Sequence, residues 1–161
     1  MSLFKKRKVV NNNKCFTVCG IGEIDNKILF VRHTYGAAKD RILLPGGYVK
    51  EGELPTIAAE REIFEETNVV CKAKELYSIQ FKLEQWCAVF TMEYISGEPK
   101  SDGYENSEVL LLSVEDALSC DDLTNMSRAI LEAYKENKKG LLKSDYSAKA
   151  RTKDDYVFFG V

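Results

Sequence analysis

An α/β fold is what this sequence predicts, and three observations carry the prediction. Segments rich in β-branched and aromatic residues, of strand length, recur along the chain. Two stretches, 55–67 and 121–137, carry helical periodicity instead. The length of 161 residues suits one domain, and a domain of that size buries roughly two-thirds of the surface its unfolded chain exposes.

The elements follow in order. Residues 15–24 mix β-formers with glycine and read as a strand; Asp25-Asn26 turns the chain, and 27–32 return as a second strand of a hairpin. Residues 34–41 are small and polar, a loop. Ile42-Leu43-Leu44 is a short apolar strand stopped by Pro45-Gly46-Gly47. Pro55 suits a first helical turn, and Asn68 with Val69-Val70 ends that helix. Two extended segments, 70–83 and 86–95, flank Gln85, and a turn follows at 96–99. Residues 100–107 form a polar loop, and 108–114 a further apolar strand. In the last helix Leu123, Met126, Ile130, Leu131 and Tyr134 fall at helical spacing. The chain therefore divides into a basic segment 1–14, a domain 15–137, and a tail 138–161 whose apolar end either docks or stays mobile.

Composition narrows the classes. With 45% hydrophobic and 30% charged residues, collagen, coiled coil and wholesale disorder are excluded. No apolar run nears the roughly 18 residues that span a bilayer, and the basic start has no apolar stretch behind it, so neither membrane span nor signal peptide is expected. A net charge of −2 gives no general reason to bind nucleic acid, and Lys5 to Lys8 read as a solvated run. The five cysteines, at 15, 19, 71, 87 and 120, form no CxxC pair and meet a single histidine, His33. Reduced, buried thiols in a cytoplasmic protein are the expectation. Oligomeric state is left open, a homodimer included.

Chemistry concentrates in residues 45–69, PGGYVKEGELPTIAAEREIFEETNV. At 100° per residue, Glu62, Glu65 and Glu66 share a helical arc of roughly 100°. Like charges so placed cost a few tenths of a kcal/mol per pair on an isolated helix. Three carboxylates make sense if a hard divalent cation with oxygen ligands sits among them. Ala58 and Ala59 project towards the same arc and leave room for the Gly46-Gly47 turn, which can present a carbonyl to the metal. Taken alone, EREIFEE would read as a solvated surface; the spacing alters that reading. Five residues separate Gly47 from Glu53, seven more lead to Arg61-Glu62, and Ile63, one residue, then Glu65-Glu66 follow.

That string resembles the Nudix box, G-x5-E-x7-R-E-U-x-E-E-x-G-U with U aliphatic. Gly47, Glu53, Arg61, Glu62, Ile63, Glu65, Glu66 and Val69 match it. A chance match of the six fixed positions that agree, anywhere in 161 residues, is on the order of one in 10⁵ at ordinary residue frequencies. Asn68 stands where the family has glycine, and asparagine is the next best residue for a left-handed helix end. The resemblance extends over 15–136 and implies an α/β/α sandwich with a central mixed sheet. It further implies Mg²⁺- or Mn²⁺-dependent hydrolysis of a pyrophosphate bond in a nucleoside diphosphate linked to another moiety, a small-molecule partner.

By the same resemblance Glu62, Glu65 and Glu66 match the metal-binding positions, and Gly46 the place of a metal-bound carbonyl. Gly47, Glu53 and Arg61 match the structural box, and Arg61 is also counted with Glu62, Glu65 and Glu66 in the catalytic set, in a mainly architectural role. Glu62 is the leading general base. Glu105 and Glu108 are the late-loop candidates. Arg32 and Arg41 are placed to grip phosphate. His33 reads as structural, and Tyr35, Phe81 and Trp86 read first as core packing. The proline that ADP-ribose hydrolases of the family carry some fifteen residues beyond the box is absent from 80–85, and no other substrate marker is clearly present. A non-hydrolytic nucleotide-binding or regulatory protein of this fold is the alternative, and a metal-buffering or structural domain ranks below it.

Overall fold

A computed structural model describes residues 15–143 and 159–160; the basic segment 1–14 and most of the tail lie outside them. In order come β1 (Cys15–Ile24), β2 (Lys27–His33), β3 (Ile42–Leu43), β4 (Gly46–Tyr48), α1 (Pro55–Thr67), β5 (Val70–Phe81), β6 (Gln85–Ser96), β7 (Asn106–Leu112), α2 (Val114–Ser119), α3 (Asn125–Lys135), β8 (Leu141–Lys143) and β9 (Phe159–Gly160).

The sheet is mixed. β1 runs parallel to β6 over Cys15↔Gln85 to Gly22↔Met92, while every other pairing is antiparallel. Hydrogen bonds link the strands in the order β3-β2-β1-β6-β5-β8-β9, with β4 also on β1 and β7 also on β2. The β1–β2 hairpin is paired only beside its turn, at Glu23↔Ile28 and Ile24↔Lys27. Beyond that the two strands splay. The sheet thus divides into a larger panel, β4-β1-β6-β5-β8-β9, and a smaller one, β3-β2-β7.

Alternation along the strands builds two cores. Val18, Leu29, Ala88 and Phe90 face α1 and pack with Ala58, Ala59 and Ile63. Their neighbours Ile21, Ile28, Phe30 and Val89 face the other way and pack with Ala117 of α2 and Ile130 and Leu131 of α3. Helices on both faces of a mixed sheet make the expected α/β/α sandwich. Glycine is needed at Gly20, where a Cβ would come within 2.7 Å of Met92 and closer still to Ile63.

Several boundaries differ from the sequence expectation for physical reasons. β4 was not foreseen: three residues, two of them glycine, carry no periodic signal. α3 begins at Asn125 instead of 121, because Asp122 and Thr124 zip their backbones onto Ile42 (3.0 and 2.9 Å). Strand β7 stops at Leu112, since Ser113 caps α2 by accepting the Asp116 N–H. Of the tail, Leu141 and Leu142 extend the sheet on Leu76 and Glu75, and Phe159 lies against Phe90 with ring centroids 5.6 Å apart.

Asn68 closes α1 at φ 60°, donating its backbone N–H to Phe64 O (2.9 Å) and its side-chain amide to Glu98 O (3.1 Å). Asn68→Ala is expected to lower stability by about 1–2 kcal/mol, because an alanine Cβ strains the left-handed region. Asn68→Gly should stay within about 0.5 kcal/mol of the parent, easing the backbone while losing one exposed hydrogen bond. Urea denaturation of the three proteins checks the ranking.

Candidate active site

The site grows from Arg61. Its Nε and one terminal nitrogen donate to the two oxygens of Glu53 (2.8 and 2.9 Å), a bidentate pair that ties the loop before α1 to the helix. The same terminal nitrogen donates to Tyr48 O (3.0 Å), and the other reaches Glu62 (2.6 Å) and Glu65 (3.0 Å). Held this way, the Glu53 carboxyl drops from its usual 4.5 to about 2, chiefly through Arg61 and further through the Lys50 N–H. The reciprocal effect raises the guanidinium.

One turn on, Glu66 is only 3% exposed. Its Oε2 accepts the Gly46 N–H at 2.8 Å, and its Oε1 lies 3.6 Å from His33 Nε2. Glu62 lies over Gly47, where a Cβ would collide with its carboxyl carbon and oxygens, so a larger residue there would push the Glu62 carboxylate aside. Burial pushes the Glu62 pKa up; Arg61 opposes this, and the charges of Glu66 and Glu65 add to the rise. Glu65 is half exposed and also faces Lys50 Nζ at 3.9 Å.

The structure therefore brings Glu53, Arg61, Glu62, Glu65, Glu66, Gly46 and Gly47 together as expected. Among the described residues no three His, Cys, Asp or Glu side chains form a finished metal cage. Arg61 draws Glu62 and Glu65 to itself, and Glu66 is turned onto Gly46. The donor set nonetheless fits a hard divalent cation: oxygen atoms on one arc, a surplus of carboxylates over guanidinium, and a Glu62 raised by burial and by its neighbours' charge.

The outlying candidates separate. Arg32 donates to Glu108 (3.0 Å), to Asp40 O (2.9 Å) and, in a short contact, to Asp122. Arg41 donates to Asp122 O (3.4 Å) and Leu123 O (2.8 Å). Both arginines bind the α2–α3 connection, Glu108 pairs with Arg32 across β2 and β7, and among the described residues no hydrogen bond or ion pair joins these three to the box carboxylates. Glu105 accepts from the hydroxyl of Tyr35, whose ring stacks on His33, at 3.4 Å. The Tyr35 hydroxyl is raised by burial, then by the charges of Glu105 and Glu66.

Aromatic residues expected in the core lie outside it. Tyr35 is 53% exposed, Phe81 66% and Trp86 39%. Tyr35 stacks on His33, centroids 5.4 Å apart and planes 10° from parallel, while Phe81 meets Trp86 edge-on at 5.1 Å. Tyr48, which sequence reasoning missed, sits beside the box because Thr17 pairs with it in β4. Its place next to Gly46-Gly47 was the available signal.

Residues 14–134 match the NUDIX domain as a family. The chain belongs to the Nudix family. It is 37% identical over 90 residues to the ADP-ribose pyrophosphatase of Methanocaldococcus jannaschii, a match spanning 52% of this chain and 53%, about half, of that curated relative. A NUDIX hydrolase from Nitrosomonas europaea superposes with TM-score 0.71 at 24% identity, covering 78% of this chain and 72% of that one. A bifunctional NMN adenylyltransferase/ADP ribose pyrophosphatase from Francisella tularensis, solved with AMP and a Mn ion, gives 0.66 at 21% identity over 78% of this chain and 42% of that one. These two likenesses are of fold. Among the described residues no helix is long and apolar enough to cross a membrane.

The Glu53–Arg61 pair has a pH signature. Because the folded carboxyl sits near 2 and the unfolded one near 4.5, the unfolded state binds more protons between those values. The contribution is fully present above the unfolded value and lost as pH falls through the folded one. Glu53→Gln should flatten that part of the stability–pH curve and lower stability at pH 7 by about 2 kcal/mol. Denaturant melts at pH 7, 4 and 3 measure both effects.

Proposed function

We propose that this protein hydrolyses a pyrophosphate bond in a nucleoside diphosphate linked to a further group, with Mg²⁺ or Mn²⁺ as cofactor. The observation that carries the reading is the carboxylate arc of α1, with Glu66 buried on the Gly46 N–H and Glu62 raised by burial over Gly47. A divalent cation held by Glu62, Glu65, Glu66 and the Gly46 carbonyl would neutralise phosphate charge and lower the pKa of the attacking water. Glu62 serves as general base: lying over Gly47 beside the other box carboxylates, it is placed to take a proton from water as the new O–P bond forms and the bridging P–O bond breaks. Glu105 is the second candidate base, since it meets Tyr35 beside His33 whereas Glu108 is taken up by Arg32. Arg61 acts by holding Glu62 and Glu65 in place and does not need to touch substrate.

Tyr35, stacked on His33, and Tyr48, two residues from Gly46, are both exposed and suit stacking of the base or sugar of a nucleotide. The curated relative makes ADP-ribose the first substrate to try, although the expected proline is missing between Gln80 and Gln85. NDP-sugars, dinucleoside polyphosphates, dNTPs and oxidised dNTPs complete the panel.

Chelation is expected to abolish turnover of any substrate found. Glu66→Gln should reduce kcat at least about 100-fold with the melting temperature unchanged, because the amide keeps the volume and the acceptor for Gly46 N–H but removes the charge. Chromatographic product analysis with added Mg²⁺ or Mn²⁺ reads both outcomes. A variant turning over at the parent rate with the parent metal dependence overturns the assignment of Glu66.

A further inference from the structure

His33 is the only histidine, and the fold aims it at Glu66. Its backbone N–H and C=O are both tied to the Asp40–Arg41 segment: the His33 N–H donates to Arg41 O (3.2 Å), and Asp40 N–H donates to His33 O (2.8 Å). The register of β2 against β7 shifts between Arg32 and His33, so that Arg32 faces Glu108 but His33 faces Asn106, leaving Ser107 as the extra residue. Such a bulge turns a strand locally and re-aims the side chain beside it. The Tyr35 ring stacked on the imidazole restrains its plane.

The outcome is a buried Nε2 with no hydrogen-bond partner, 3.6 Å from Oε1 of a carboxylate whose other oxygen already accepts the Gly46 N–H. A buried polar atom left unpaired forfeits the hydrogen bonds that water gave it. That cost is relieved by an approach of well under 1 Å, which makes an N–H···O bond of ordinary length.

We propose that His33 is a positioning residue for Glu66, donating Nε2–H to Oε1 so that both carboxylate oxygens are steered from the protein side. The inference rests on the metal-dependent reading above. A ligand carboxylate fixed by such outer contacts binds its cation more tightly, and removing one contact costs typically 10–100-fold in metal affinity or activity.

The test compares His33→Gln with His33→Met, side chains of similar length of which only the first keeps an N–H donor. Mn²⁺ binding is read by electron paramagnetic resonance and calorimetry on the full chain, with thermal melting alongside. His33→Gln should bind Mn²⁺ within about threefold of the parent, and His33→Met at least about tenfold more weakly, with kcat reduced and KM little changed. Should His33→Met fail to fold, His33→Leu and His33→Asn repeat the comparison of donor against none. Parent-like Mn²⁺ affinity in the donor-free variants overturns the inference while leaving the proposed function standing. Equal weakening in donor and donor-free variants also overturns it, because ring shape and not the hydrogen bond would then matter. A parent protein that binds no Mn²⁺ overturns both.

Discussion

The Arg61 guanidinium is the interaction on which the site depends. Glu62, Glu65 and Glu66 lie on one helical arc, and Glu62 and Glu66 are largely withdrawn from water. Without a cation among them the helix would carry unopposed repulsion at the point where it is buried against the sheet. Arg61 answers this with five donors in a fixed fork: two to Glu53, one shared with Tyr48 O, and the rest to Glu62 and Glu65. A lysine, with one nitrogen, could not reach these partners together.

Glu53 completes the arrangement from the other side. Its carboxylate is shared between Arg61 and the Lys50 N–H, so the loop between β4 and α1 is tied at both ends. The helix start lacks a side-chain cap: Leu54 occupies that position, and Pro55 gives up a donor that would have had no partner. The loop is thus ordered by charge where most helix starts are ordered by a hydroxyl or amide. This explains why a chain so acidic in this region folds its box tightly against the Gly46-Gly47 turn.

Legibility followed the range of the interactions. The box and its helix were readable because their information is local: fixed spacing, one arc, an asparagine where the backbone turns left-handed. Glu105 and Glu108 could not be told apart in sequence, since only the β2–β7 register reveals that Glu108 faces Arg32 while Glu105 meets Tyr35. Arg32 and His33 are neighbours with opposite surroundings for the same reason. Strand alternation sends Arg32 to Asp122 on the α3 side and His33 to Glu66 on the α1 side. The exposure of Tyr35 and Tyr48 was hidden too, because an aromatic residue in a strand or loop next to glycine has the same signature in a core and at a cleft.

The position of the glycine turn is set by both panels of the sheet. β3 belongs to the smaller panel and β4 to the larger, and only Leu44-Pro45 joins them. On one side, Ile42 is zipped to Asp122 and Thr124, and the Leu44 N–H donates to Ser127 Oγ at 3.2 Å. On the other, Pro45 O accepts the Gly20 N–H at 3.0 Å, and a Cβ on Gly46 would run into the β1 backbone at Val18 and Cys19. Gly46 therefore delivers its N–H to Glu66 from a segment stretched across the gap where β1 and β2 part. The ties that Arg32 and Arg41 make to the Asp122–Leu123 segment brace the far anchor of that bridge. The α3 face so helps to place the backbone that meets the carboxylates, although none of its side chains reaches them in a hydrogen bond or ion pair among the described residues.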